Sequence, residues 1–150
     1  AAVTSPGRCE VVHRDPTIIL DAAHNPHGAK ALAETLANEF NFDEIVAVVG
    51  VFGDKDAIGI LQELEGVVDH VIVTQSSSDR AMPSSELEKI ASKIFGVDRV
   101  FEVPDLHTAI DRAVSDALRP LSEDTIGIII TGSVVTVGEA RSYVRKKFAQ

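Results

Sequence analysis

A carboxylate, an imidazole and a carboxamide fall in one short run, Asp21-Ala22-Ala23-His24-Asn25-Pro26. Asn25 followed by Pro26 is a helix start signal. The cap side chain accepts from an unpaired backbone N–H, and Pro has no N–H to lose at the first helical position. A helix N-terminus concentrates such N–H groups and favours an anion. His24 can donate there to a phosphate or a carboxylate. Asp21 can orient His24, accept from a ribose hydroxyl, or help hold a metal-bound water. The plain alternative is that Asp21 and Asn25 only cap the helix and His24 is a satisfied turn residue. The convergence of several polar groups favours a binding site.

Three other segments bear on the same chemistry. Gly50-Val51-Phe52-Gly53-Asp54-Lys55-Asp56 combines glycines, which let a backbone approach closely, with the point charge of Lys55. A Lys between two Asp residues reads equally well as a surface ion pair. Thr131-Gly132-Ser133 offers N–H groups and a hydroxyl to an anion, and Ser133 is also an ordinary helix cap. Arg8, in Pro6-Gly7-Arg8, reads alone as a solvated linker residue. Arg80, in the polar loop after Gln75, reaches either a ligand or solvent. His13, His70 and His107 have no metal-ligand spacing among themselves. Cys9 is the single cysteine, which excludes an internal disulfide and a multi-cysteine metal site; it reads as a half-buried strand residue.

These residues need a scaffold. Continuous apolar runs of β-branched residues mark strands covered on both faces. They occur at Thr17–Leu20, Ile45–Val49, Val71–Thr74, Val100–Val103 and Ile126–Thr131, with Glu10–His13 as a candidate edge strand. Between them, apolar residues recur at helical spacing. One stripe follows Pro26 through Leu32, Leu36 and Phe40. Others run from Leu87 to Phe95 and from Leu106 to Leu118, with helices also at Ala57–Leu64 and about Val135–Phe148. Strand and helix in alternation predict an α/β, Rossmann-like three-layer domain: a mostly parallel sheet of about six strands with helices on both faces. Ligands of such sheets bind at the C-terminal strand ends, where the segments above lie.

The chain has 150 residues, enough for one core, and 45% hydrophobic composition, as in folded proteins. The net charge of −9 argues against general nucleic-acid binding. No apolar run is long enough to span a bilayer, and a cytoplasmic setting is expected. Residues 1–8 read as linker and 9–150 as the domain. There is no G-x-x-x-x-G-K-[ST] loop and no G-x-G-x-x-G fingerprint, so the chain lacks a phosphate loop of its own.

Pro6-Gly7-Arg8, Leu20-Asp21-Ala22-Ala23-His24-Asn25-Pro26-His27-Gly28, Gly53-Asp54-Lys55-Asp56, Thr131-Gly132-Ser133 and Val137-Gly138-Glu139-Ala140-Arg141 occur in one order. The sequence resembles the C-terminal domain of folylpolyglutamate synthases and bifunctional dihydrofolate synthase–folylpolyglutamate synthases, in the Mur-ligase superfamily. The resemblance implies an ADP-forming amide ligase that joins L-glutamate to dihydropteroate or a folate through an acyl phosphate. It implies ATP and Mg2+, with the phosphate loop and most metal ligands in an N-terminal domain outside this chain, and a monomer. Arg8, Asp21, His24 and Asn25 resemble nucleotide contacts. His24 is implied near the γ-phosphate and incoming glutamate, and Asp21 and His24 serve catalysis. Lys55 and Ser133 resemble residues that hold the amino-acid substrate. The family commonly has Gly where this chain has Ala22, which would distort the turn if that position required positive φ. A self-contained nucleotide-binding module without ligase activity is the competing reading.

Overall fold

Ile18, Ile19 and Leu20 are each 0% exposed. Such a run survives only in a strand with protein on both sides. The computed structural model describes residues 8–118 and 125–149, so the linker expected over residues 1–8 lies, Arg8 apart, outside the described residues.

The elements in chain order are β1 (Glu10–His13), β2 (Thr17–Asp21), α1 (Pro26–Glu39), β3 (Glu44–Val49), α2 (Ala57–Leu64), β4 (His70–Gln75), α3 (Ser84–Phe95), β5 (Val100–Asp105), α4 (Leu106–Ala117), β6 (Ile126–Thr131) and α5 (Val134–Lys147). They form one six-stranded sheet in the order β1-β2-β6-β3-β4-β5. The pairs β2–β6, β6–β3, β3–β4 and β4–β5 are parallel, and β1 runs antiparallel on the edge. The expected α/β sheet with helices on both faces is what forms. Cys9 departs from expectation: it precedes β1, is only 8% exposed, and has φ of 42°.

Alternation along each strand divides the core in two. Ile19, Val49, Val73 and Ile129 pack with Leu32 and Leu36 of α1, Ile60, Leu61 and Leu64 of α2, and Leu87 of α3. Ile18, Leu20, Ile128 and Ile130 pack with Ile110 and Val114 of α4 and Val137 and Val144 of α5. Right-handed crossovers explain the division. The chain steps across the sheet from β2 to β5 with its helices on one face. It then returns from β5 to β6, and the same handedness puts α4 on the other face.

One seam on that second face has an optical signature. The Tyr143 hydroxyl donates to Asp111 Oδ1 at 2.6 Å, linking α5 to α4. Lys147 Nζ lies 2.9 Å from the same oxygen, and the His107 ring stacks on Tyr143 at 4.1 Å between centroids. The hydrogen bond to Asp111, then burial, then the negative charges of Asp111 and Asp105 push the Tyr143 hydroxyl up to about 12. A raised folded value means that this group's contribution to stability is complete below its ordinary pKa of 10 and is lost as pH rises toward 12. The chain has one Tyr and no Trp. Tyrosinate absorbance in the native protein is therefore expected to rise near pH 12. In urea, or in Asp111→Ala, it is expected to rise near pH 10; a native midpoint near 10 refutes the Tyr143–Asp111 bond.

Candidate functional site

Asp21, Thr131 and Val49 stand side by side at the C-terminal ends of β2, β6 and β3. From β2 and β3 the chain turns to α1 and α2 on one face. From β6 it turns to α5 on the other. Strands that diverge in this way open a crevice at their ends. The floor is tightly made. Gly132 has φ of 121°, and a Cβ there would land on the Gly50 carbonyl. The Ser133 hydroxyl donates to Thr136 Oγ1 at 2.9 Å, and the Thr136 hydroxyl donates to the Gly50 carbonyl at 2.9 Å. The start of α5 is thus bolted to the turn after β3. Thr131 Oγ1 is buried there without a hydrogen-bond partner among the described residues, an uncommon condition for a hydroxyl.

At the head of α1, Asn25 Oδ1 accepts from Gly28 N at 2.8 Å, and Pro26 takes the first helical position. The head of α2 lies against it. A Cβ on Gly59 would come within 2.6 Å of Pro26 Cγ, so only Gly permits this approach. Two helix N-termini therefore lie together beside the strand ends. His24 is exposed between β2 and α1, and its ring lies 3.1 Å from the Ala22 carbonyl through Nδ1. A carbonyl only accepts, so Nδ1 carries the proton. That leaves Nε2 as an acceptor in the neutral ring and a donor in the charged one. Among the described residues, positive φ outside Gly occurs at Cys9 and Asp15 and not at Ala22, so the turn does not demand it there and Ala22 is tolerated.

Asp21 does not orient His24. Its Oδ1 accepts from Ala23 N at 2.9 Å, and its Oδ2 accepts from Cys9 N at 3.0 Å and faces Cys9 Sγ at 3.5 Å. The carboxylate therefore fixes both the turn into α1 and the residue that follows Arg8. Arg8 itself is exposed.

Lys55 is half-buried on the loop between β3 and α2. Its neighbours are engaged elsewhere. Asp54 meets Arg80 at 3.6 Å, and Asp56 Oδ1 caps α2 by accepting from Gly59 N at 2.9 Å. Ser133 forms the helix cap its sequence context suggested. It is 1% exposed, and its oxygen accepts from Thr136 N at 3.0 Å. Its hydroxyl is occupied by these capping bonds to Thr136. Glu139, from the last of the quoted segments, accepts from Ser77 N at 3.1 Å and from the Ser77 hydroxyl at 2.7 Å, bracing the loop after β4. Sequence reasoning passed over this brace and the setting of Thr131. No local signal marks either, because each depends on segments distant in the chain. Among the described residues, no three His, Cys, Asp or Glu side chains converge as metal ligands, and no helix is long and apolar enough to cross a membrane.

Residues 7–134 match the family model described as Mur ligase, glutamate ligase domain. The chain is 49% identical over 150 residues to the dihydrofolate synthase/folylpolyglutamate synthase of Mycobacterium tuberculosis, covering 95% of this chain and 31% of that protein. Its fold is similar to that of Mycobacterium tuberculosis folylpolyglutamate synthase complexed with ADP and AMPPCP. There the TM-score is 0.85 and the identity 48%, over 99% of this chain and 33% of the other. It is also similar to a bifunctional folylpolyglutamate synthase/dihydrofolate synthase from Yersinia pestis complexed with AMPPNP and Mn ion. In that case the TM-score is 0.78 and the identity 29%, over 96% of this chain and 32% of the other. The chain thus spans about a third of the length of the relatives it matches.

Two outcomes follow from the geometry. Gly132→Ala adds a Cβ against the Gly50 backbone at positive φ. It is expected to cost about 2 to 3 kcal/mol in urea unfolding; a cost under about 0.5 kcal/mol refutes the close approach. Burial, then the charge of Asp21 and the hydrogen bond to it, push the Cys9 thiol up to about 12. Its contribution to stability is complete below the ordinary value of 9.0 and is lost as pH rises toward 12. Native Cys9 is expected to resist a disulfide-exchange reagent at pH 8 and to react stoichiometrically in guanidinium. Rapid native reaction would show that the Asp21 contact is not formed.

Proposed function

The chain belongs to the Mur ligase, glutamate ligase domain family, and from that premise we propose that it is the C-terminal domain of an ATP-dependent amide ligase that adds L-glutamate to dihydropteroate or to folates. The observation that carries this reading is the exposed His24 ring at the head of α1, beside the head of α2, at the C-terminal strand ends. An anionic substrate suits this place, because N–H groups and an imidazole stabilise negative charge where water is displaced.

In the proposed reaction a substrate carboxylate attacks the γ-phosphorus of ATP, and ADP leaves. The glutamate amine then attacks the carbonyl carbon of the acyl phosphate. The tetrahedral intermediate expels phosphate, the amine proton is lost, and an amide remains. His24, through Nε2, contacts the γ-phosphate and the incoming amino acid, donating when charged. The head of α1, capped by Asn25, faces the phosphates. Arg8 approaches them from the linker, held in place by the bond between Asp21 and Cys9 N. Asp21 also accepts from a ribose hydroxyl of the nucleotide through a remaining lone pair. Lys55 meets a carboxylate of glutamate. Ser133 acts by setting the start of α5. When bound, magnesium would disperse the charge of the ATP phosphates, and its ligands would come mainly from the N-terminal part of the enzyme. That part supplies the phosphate loop and most of the folate pocket, and closes on this domain to keep water from the acyl phosphate. Residues 9–150 form the domain, and the enzyme is a cytoplasmic monomer.

In the full-length enzyme, His24→Ala is expected to lower kcat at least about 100-fold with folding intact; unchanged turnover removes His24 from catalysis. Calorimetric titration of the 150-residue chain with ATP and Mg2+ is expected to give weak binding, since half the nucleotide site lies elsewhere. Micromolar binding by the chain alone would favour a self-contained nucleotide-binding module instead.

A further inference from the structure

We propose that Arg80 is a specificity-determining residue of this site, receiving the side-chain carboxylate of the incoming amino acid. The inference rests on the amide-ligase reading above. Glutamate carries two carboxylates. Lys55 supplies one compact cation for them, and the Ser133 hydroxyl is walled into the start of α5. A further positive group at the same edge would tell glutamate from a neutral amino acid, because a neutral side chain leaves that group without its partner.

Arg80 stands there on a fixed root. Its carbonyl accepts from Gly53 N at 2.9 Å, and Met82 N donates to the Val51 carbonyl at 2.9 Å. Phe52 and Ala81 pair antiparallel between these bonds. The loop that carries Arg80 is thus zipped to the loop that carries Lys55. Arg80 N donates to Ser78 Oγ at 3.1 Å, and Ser77 is held by Glu139 of α5. The backbone is pinned from both sides.

The guanidinium is not pinned. It meets Asp54 at 3.6 Å, with the two side chains 66% and 62% exposed. An ion pair so exposed contributes next to nothing. The group also lies 4.5 Å over the Phe52 ring, an attraction that acts through charge and leaves N–H donors available. Arg99 shows what a committed arginine looks like: it donates to the Val68 carbonyl at 2.7 Å, to the Asp69 carbonyl at 3.0 Å and to Glu65 at 3.0 Å. Arg80 makes loose contacts on a loop zipped to that of Lys55, the cation proposed above for the substrate. A carboxylate that takes two parallel N–H bonds displaces Asp54 readily.

Steady-state kinetics of the full-length enzyme carrying this domain test the inference, with ATP, a folate acceptor and L-glutamate, and with L-glutamine as substrate or competitive inhibitor. Arg80→Ala is expected to raise KM for glutamate roughly 10- to 100-fold while KM for ATP holds. The preference for glutamate over glutamine falls in step, and Arg80→Lys restores part of it. Asp54→Asn removes the resting partner and is expected to leave KM for glutamate level or lower. If Arg80 instead only braces the Lys55 loop, Asp54→Asn raises that KM as Arg80→Ala does, or Arg80→Ala weakens glutamate and glutamine alike. Either result overturns the inference, as does an Arg80→Ala enzyme with unaltered KM. In those cases the wild-type enzyme still ligates glutamate and the functional reading stands. A wild-type enzyme that ligates no glutamate refutes that reading, and the inference falls with it.

Discussion

Four strands of this sheet, β2, β3, β4 and β6, can exist only with protein on both faces, whereas β5, expected to be of this kind, is half-buried to exposed beyond Val100 and carries Glu102 and Asp105. That single requirement orders the rest. It dictates continuous apolar strands, because side chains of either parity are buried. It divides the helices into α1–α3 and α4–α5, because right-handed crossovers change face when the chain reverses direction across the sheet. The reversal inserts β6 between β2 and β3. The chain leaves these neighbouring strands toward opposite layers, so their ends gape. The crevice is a consequence of covering the sheet, and the polar residues of the turns line it.

At that crevice, capping and ligand chemistry compete for the same side chains. Asn25, Asp56 and Ser133 each accept from an N–H in the first turn of a helix. A cap worth about 1 kcal/mol holds its side chain inward. Asn25 and Asp56 remain exposed while capping, whereas Ser133 is sealed beneath Thr136. His24, Lys55 and Arg80 carry no capping role and keep donors or charge at the edge. Asp21 is intermediate, since both its oxygens hold backbone N–H groups and neither is saturated.

The strands and helices were legible in the sequence because their signals are local. Among the described residues, β-branched runs and helical stripes located every strand and every α-helix, with β1, α2 and β6 matching to the residue. The sheet order was not legible. It depends on pairings such as Thr131 with both Asp21 and Val49, which no local pattern encodes. The site divides in the same way. Asn25 and Pro26 announced a helix start, and they form one. The sequence could not distinguish a sealed Ser133 from an open one, because the seal is Thr136 bonded to the carbonyl of Gly50, 86 residues away. Nor could it pair Arg80 with Lys55, since that neighbourhood is made by an isolated bridge between two loops.

The bond between Cys9 N and Asp21 has a mechanical meaning. An edge strand held only by its ladder would take up a pull along the chain by peeling or slipping in register. Here a pull on Arg8 meets a backbone N–H fastened directly to the carboxylate that also fixes the turn into α1. The load path from the linker therefore bypasses the edge strand and ends in the crevice itself. Tension at the chain's entry and the position of the α1 head form one mechanical coordinate, with no compliant element between them.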